Sequence, residues 1–333
     1  MIKDNLMYHN VDYIEESVQG DRLYRYTKEL LGVVNDGCRK MARYACNCEV
    51  RFVTDAPSVS FRVTSLLGAG HVVVYRGDFC QATYNIITGE TLAVDIMGTT
   101  VISDEFTDEF YKGNSFSKDV YRIHMHGFYC AFGGVDALGY DIRPPKPDEL
   151  PEKMIFAYGS SITHGAGAMS TNLCYAQFAG RILKADVINK GVGGSCFAEP
   201  EVADFYLTNP EWDAAILEIG VNMQGLIECD EIEKRYRYFM KKAAECGKPV
   251  FAPSMYRCFG NYYKDDERNE KYNQVDRMIR RVHSELNCPN IHFIDGEEML
   301  PESSMLTADG IHPSTEGHFY MGTYLAGIMK KYI

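Results

Sequence analysis

The ten residues Arg143-Pro144-Pro145-Lys146-Pro147-Asp148-Glu149-Leu150-Pro151-Glu152 hold four of the chain's twelve prolines, and the hydrophobic pattern differs on their two sides. Proline has no N–H for a ladder and disfavours helix in the residue before it, so such a run belongs inside neither a sheet nor a helix. It predicts a stiff, extended linker at 146–152, and the 333 residues leave room for a domain on each side.

Residues 1–145 read as an all-β accessory domain. Short alternating or β-branched runs recur at 50–53, 58–63, 71–75, 91–96 and 120–125. Turn residues separate them, among them Asn35-Asp36-Gly37, Arg76-Gly77-Asp78 and Thr88-Gly89-Glu90. About half the positions in most runs are apolar, which suits a two-sheet β-sandwich or jelly roll with one face of each sheet wet.

From Lys153 the period changes. Apolar strand candidates at 154–158, 186–189, 214–219, 250–254 and 291–295 alternate with helical patterns near 173–184, 199–207, 231–246, 267–286 and 315–331. That alternation predicts an α/β domain over 153–333, a doubly wound parallel sheet of five strands with helices on both faces. Ligands of such sheets sit at the carboxyl ends of the strands.

Four segments gather at those ends or in the terminal loop. The first is Gly159-Ser160-Ser161-Ile162-Thr163-His164-Gly165, which sets a hydroxyl between a strand and a helix. Asn189-Lys190-Gly191-Val192-Gly193-Gly194-Ser195 follows the second strand, and Gly220-Val221-Asn222-Met223 the third. Last comes Asp309-Gly310-Ile311-His312, where an Asp three residues before a His can hold its Nδ1–H and free Nε2 as a base.

As an ordered set over about 153–333, these segments resemble the blocks of the SGNH (GDSL-type) hydrolases. The resemblance implies Ser161 as nucleophile, His312 as base and Asp309 as its orienting partner. It implies an oxyanion hole made of the Ser161 and Gly194 backbone N–H groups and the Asn222 side chain. The chain departs from the family pattern twice: Ser160 stands for the usual Asp before the nucleophile, and Met223 for the usual Asp after Asn222. A sandwich followed by such a domain further resembles the two-domain carbohydrate esterases of family two. That implies a jelly roll beside the catalytic mouth and an enzyme that removes O-acyl groups, foremost O-acetyl, from sugars. Met223, His164 and Tyr256 are expected to line the mouth; Arg257 and Phe259 follow the fourth strand at the same edge, where substrate contact and a packed loop are both open. Glu218, alone in an apolar strand, must find a partner or lie near the rim.

A net charge of −12 with no Lys/Arg-rich run disfavours nucleic acid. No apolar run reaches membrane-spanning length, so no membrane role is expected. The eleven scattered cysteines and a start without a basic-then-apolar segment predict reduced thiols in a cytoplasmic protein. His124-Met125-His126 is read as structural, so neither metal nor organic cofactor is expected. The expected partner is a small-molecule or oligosaccharide ester, with a homo-oligomer left open. The alternatives are a lipase, thioesterase or arylesterase on the same scaffold, or a carbohydrate-binding protein without catalysis.

Overall fold

The computed structural model describes residues 1–97, 106–256 and 262–333. They form two compact units. The first comprises Met1–Lys28, Ala42–Glu152 and Lys184–Asp186; the second comprises Glu29–Met41, Lys153–Leu183 and Val187–Ile333.

Strands of the first unit are β1 (Ile2–Lys3), β2 (Leu6–His9), β3 (Tyr13–Ser17), β4 (Gly20–Tyr24), β5 (Cys48–Phe52), β6 (Ser58–Leu67), β7 (Gly70–Arg76), β8 (Phe79–Ile86), β9 (Thr91–Met97), β10 (Tyr121–His126) and β11 (Tyr129–Asp136). They make two sheets, ordered β1-β2-β5-β10-β7-β8 and β3-β4-β11-β6-β9, with antiparallel neighbours. Alternate residues of each sheet enter one core: Val50, Phe52, Val72, Val74, Ile123 and Met125 meet Val59, Phe61, Val63, Val94, Ile96 and Phe132. Each such side chain is worth about 1.5–3 kcal/mol on burial, so this seam holds the sandwich together.

Three expectations are corrected here. Residues 1–145 are not all β, because Lys28–Val33, Asp36–Met41 and Asp108–Tyr111 are helical. Asn35-Asp36-Gly37 opens the second of these helices rather than separating two strands as a turn, with Asn35 Oδ1 accepting the Cys38 N–H at 2.9 Å. The outer face of β5 and β10 is not wet. Glu49, Arg51, Arg122 and His124 are buried there, and Glu49 accepts from Arg51 Nε (2.6 Å) and Arg122 (2.9 and 3.1 Å). Arg51 also grips Asp186 through both terminal nitrogens, at 2.5 and 2.9 Å. The proline-rich stretch is not extended throughout. Pro147–Glu149 is a 3-10 turn, and the Arg143 guanidinium clamps Glu149 at 2.6 and 2.7 Å.

The parallel sheet consists of β12 (Lys153–Gly159), β13 (Ala185–Asn189, of which Val187–Asn189 belong to the second unit), β14 (Ala214–Glu218), β15 (Val250–Pro253) and β16 (Ile291–Ile294), in the order β13-β12-β14-β15-β16. Neighbours from β12 to β16 run parallel. Ile155-Phe156-Ala157-Tyr158 and every residue of β14 are buried, as strands covered on both faces must be. Helix Tyr175–Leu183 packs on Thr315–Met329, and Pro200–Leu207, Cys229–Glu245 and Asp266–Leu286 pack in series. Among the described residues no helix is long and apolar enough to cross a membrane, and every cysteine is a free thiol.

Candidate active site

The turn after β12 becomes a four-residue helix, Ser161–His164. Ser160 caps it, its Oγ accepting the Ile162 N–H at 3.1 Å, and Gly165 ends it in the left-handed region at φ 103°. The cap turns Ser161 away from the sheet, half-buried at the rim of a cavity.

The loop after β13 is sewn onto that turn. Val192 N donates to Gly159 O at 2.9 Å, and Asn189 Nδ2 donates to Thr163 O at 2.7 Å. Gly191 makes the closeness workable: a Cβ there would strike the His164 backbone nitrogen and stand 2.8 Å from His164 Cα. Gly193 follows, where a Cβ would sit 3.6 Å from Ser161 Cβ, and then Gly194 at φ 68°, a backbone that favours glycine. This segment therefore passes close to Ser161. After β14, Asn222 Oδ1 accepts the Cys196 N–H at 3.2 Å. With its oxygen so engaged, the Asn222 amide is left to present Nδ2 to the cavity it lines.

The loop before helix Thr315–Met329 brings the acid and the histidine. Asp309 Oδ1 accepts from Thr307 Oγ1 (2.8 Å), Ile311 N (2.8 Å) and His312 N (3.0 Å). Its Oδ2 lies 2.7 Å from His312 Nδ1, and His312 Nε2 lies 2.8 Å from Ser161 Oγ. Burial works against the Asp309 charge, but the His312 ring and these N–H donors hold its carboxyl well below the usual range. An ionised carboxylate can only accept, so Nδ1 carries the proton and Nε2 faces the serine as acceptor. Such a row can draw the proton from Ser161 and return it to a leaving oxygen.

A second histidine nearby differs. His318 is fully buried, accepts from Tyr175 N at 3.3 Å and contacts Ala166 O at 3.0 Å. Burial lowers it to about 4, so it is neutral at ordinary pH and serves to anchor the loop after the serine helix.

The cavity holds about 720 Å³. Ser161, Gly194, Asn222 and His312 line it, as do His164 and Tyr256. Met223 does not: it is fully buried, because a turn in which its N–H donates to Gly220 O (3.0 Å) directs it into the core. Val221, Gln224 and Leu226 take the place expected of it. Arg257 and Phe259 lie outside the described residues. Sequence reading missed Met41, Ile162, Tyr263, Tyr272 and Ile311 in the walls. No local signal marks Met41; it arrives on a helix whose preceding Asn35 donates to Ser195 O at 3.1 Å and to Glu199.

Residues 152–329 match the GDSL-like lipase/acylhydrolase family. The chain belongs to that family. It is therefore a carboxylic ester hydrolase, with an SGNH-type α/β domain preceded by a β domain. Among solved structures, this GDSL-like hydrolase is similar to a salicylyl-acyltransferase from a tetracycline biosynthetic pathway, at 16% identity and TM-score 0.80, covering 98% of this chain and 95% of that one. It is also similar to a family two carbohydrate esterase from Clostridium thermocellum in complex with cellohexaose (13%, TM-score 0.62, 98% of each chain). A third is an acetyl xylan esterase from the rumen bacterium Butyrivibrio proteoclasticus (11%, TM-score 0.58, 99% and 96%). At these identities the likeness concerns the fold. No curated protein matches the chain in sequence.

Proposed function

We propose that the protein is a serine esterase that removes O-acyl groups, O-acetyl foremost, from carbohydrates. The observation that carries the reading is the continuous row Ser161 Oγ–His312–Asp309, with links of 2.8 and 2.7 Å, opening on the cavity. Ser161 Oγ attacks the ester carbonyl while His312 Nε2 takes its proton. The oxyanion is received by the Ser161 and Gly194 N–H groups and Asn222 Nδ2, each donor of this kind being worth about 10²–10³ in kcat. The C–O bond breaks, His312 protonates the departing sugar oxygen, and an acyl-Ser161 ester remains. Water, giving its proton to His312, then attacks that ester; the acyl–Oγ bond breaks, His312 returns the proton to Ser161 Oγ, and the acid is released. For the sugar, support comes from the likeness to family two and acetyl xylan esterases.

The test is acetate release from a panel of acetylated sugars, with Ser161→Ala as control and a serine-directed phosphonate counting reactive sites. Release by the unaltered protein alone, with one label on Ser161, supports the reading. No release and no label turn it toward a carbohydrate-binding protein.

The cavity favours a second reading. Met41, Ile162, Val221 and Leu226 give it apolar walls, and its volume far exceeds an acetyl group. An acyl ester of medium length or an aryl ester would fill it better. Turnover of p-nitrophenyl octanoate above acetate selects this alternative.

A further inference from the structure

We infer that Glu218 is a positioning residue for Ser161: the buried carboxylate at the end of β14 holds the turn that carries the nucleophile. The inference rests on the esterase reading, because it gives Glu218 this task only if Ser161 attacks.

A single carboxylate oxygen does the holding. Glu218 Oε2 accepts from Ser160 N (2.7 Å), Ser160 Oγ (2.6 Å) and Thr163 Oγ1 (3.0 Å). A hydroxyl has one proton to give, which fixes the direction of each link. Ser160 Oγ already accepts the Ile162 N–H, so its own proton goes to Glu218. Thr163 spends its proton on the same oxygen, so the Tyr175 hydroxyl, 2.8 Å away, donates to Thr163. Residues 160, 162 and 163 are thus tied, directly or through one hydroxyl, to one atom, and Ser161 lies between them.

The surroundings argue that this is more than a way to fill the interior. Glu218 is 2% exposed, and among the described residues no cation pairs with it and Oε1 has no hydrogen-bond partner. A buried carboxyl without a counter-ion is costly, and an apolar side chain of similar size would pack there more cheaply. What an apolar side chain could not supply is an acceptor oxygen for the three donors of this turn. The family's usual block also has a carboxylate beside the nucleophile, at the position Ser160 occupies. Here it comes instead from the third strand of the parallel sheet, and Ser160 relays it.

Glu218→Leu and Glu218→Gln test the inference, because Gln keeps an accepting oxygen and Leu does not. The readouts are kcat and KM on p-nitrophenyl acetate, the rate of phosphonate labelling, and the thermal midpoint. Misplacing an attacking atom is expensive, so Glu218→Leu is expected to lower kcat and labelling by about 10–100-fold while KM moves less than about threefold. Glu218→Gln is expected to return both to within about threefold of the unaltered protein. Should Glu218→Leu not fold, Ser160→Ala with Thr163→Val removes the side-chain donors instead, with the same split expected. A folded Glu218→Leu with unaltered kcat and labelling overturns the inference, as does Glu218→Gln that is no better than Glu218→Leu. An unaltered protein that neither turns over esters nor takes the label on Ser161 sinks the esterase reading itself, a distinguishable result.

Discussion

Glu49 in the β unit and Glu218 in the α/β unit are each 2% exposed, yet their surroundings drive them apart. Burial opposes the charge on Glu49, but Arg122, Arg51 and His124 outweigh it and hold the carboxyl well below 4.5. Burial also opposes the charge on Glu218, where only hydroxyl and amide donors answer it, and its pKa rises to about 7. The titratable groups facing Glu218, namely the Tyr175 and Tyr256 phenols and the Cys196 thiol, are themselves pushed up by burial and keep their protons. Equal burial therefore says little about a carboxylate until its partners are named. One residue completes an ion network that fastens strands; the other sits beside a reacting group at a cost the fold could have avoided.

The largest effect that would test this contrast is on stability. Removing one partner of a buried ion network strands the others, so Glu49→Leu should cost about 3–5 kcal/mol in urea unfolding. Glu218→Leu strands only neutral donors and should cost about 1–3 kcal/mol. Equal costs would mean that the two sites are held alike. The next effect is in the pH dependence. A carboxyl raised in the folded state keeps a proton that the unfolded chain releases above 4.5, so its stabilising contribution is full below 4.5 and is lost as pH rises to about 7. At about 1.4 kcal/mol for each pH unit, the unaltered protein should lose about 3 kcal/mol relative to Glu218→Gln across that window. Glu49 has the opposite sign: its contribution is present above 4.5 and is lost as acid drives the pH down through its lowered pKa. Thermal midpoints of Glu49→Leu and Glu218→Gln against the unaltered protein from about pH 2 to 8 read the two slopes, and a flat difference for Glu218→Gln would break the comparison.

The α/β half was legible because a parallel sheet buries both faces of its strands, and 154–158 and 214–219 therefore stand out as continuous apolar runs. Its chemistry was legible because Ser161, Gly194, Asn222 and Asp309…His312 each sit in a short segment at a strand end or terminal loop. The β half was harder. Strand β3, Tyr-Ile-Glu-Glu-Ser, and β8, Phe-Cys-Gln-Ala-Thr-Tyr-Asn-Ile, lack a clean apolar alternation, and β11 is broken by a register shift at Gly133-Gly134. Met223 was misplaced because adjacency to Asn222 in the chain says nothing of which way a tight turn points. Met41 and Glu218 lay beyond reach for one reason: their partners are distant in sequence, 58 residues away for Glu218 and Ser160, and only the folded chain brings them together.

The smallest predicted effect separates the carboxylate from the hydroxyls that serve it. Thr163→Val keeps the shape of the side chain and removes one of the three donors to Glu218 Oε2, along with the acceptor for Tyr175. The direct cost should be about 0.5–1.5 kcal/mol, the usual worth of such a bond. Its indirect effect is more informative. Donors favour the charged form, so losing one must push the Glu218 carboxyl still higher and carry the pH window of lost stability upward with it. If the window stays where it was, Thr163 is not donating to Glu218, and the chain of protons from Tyr175 through Thr163 runs the other way.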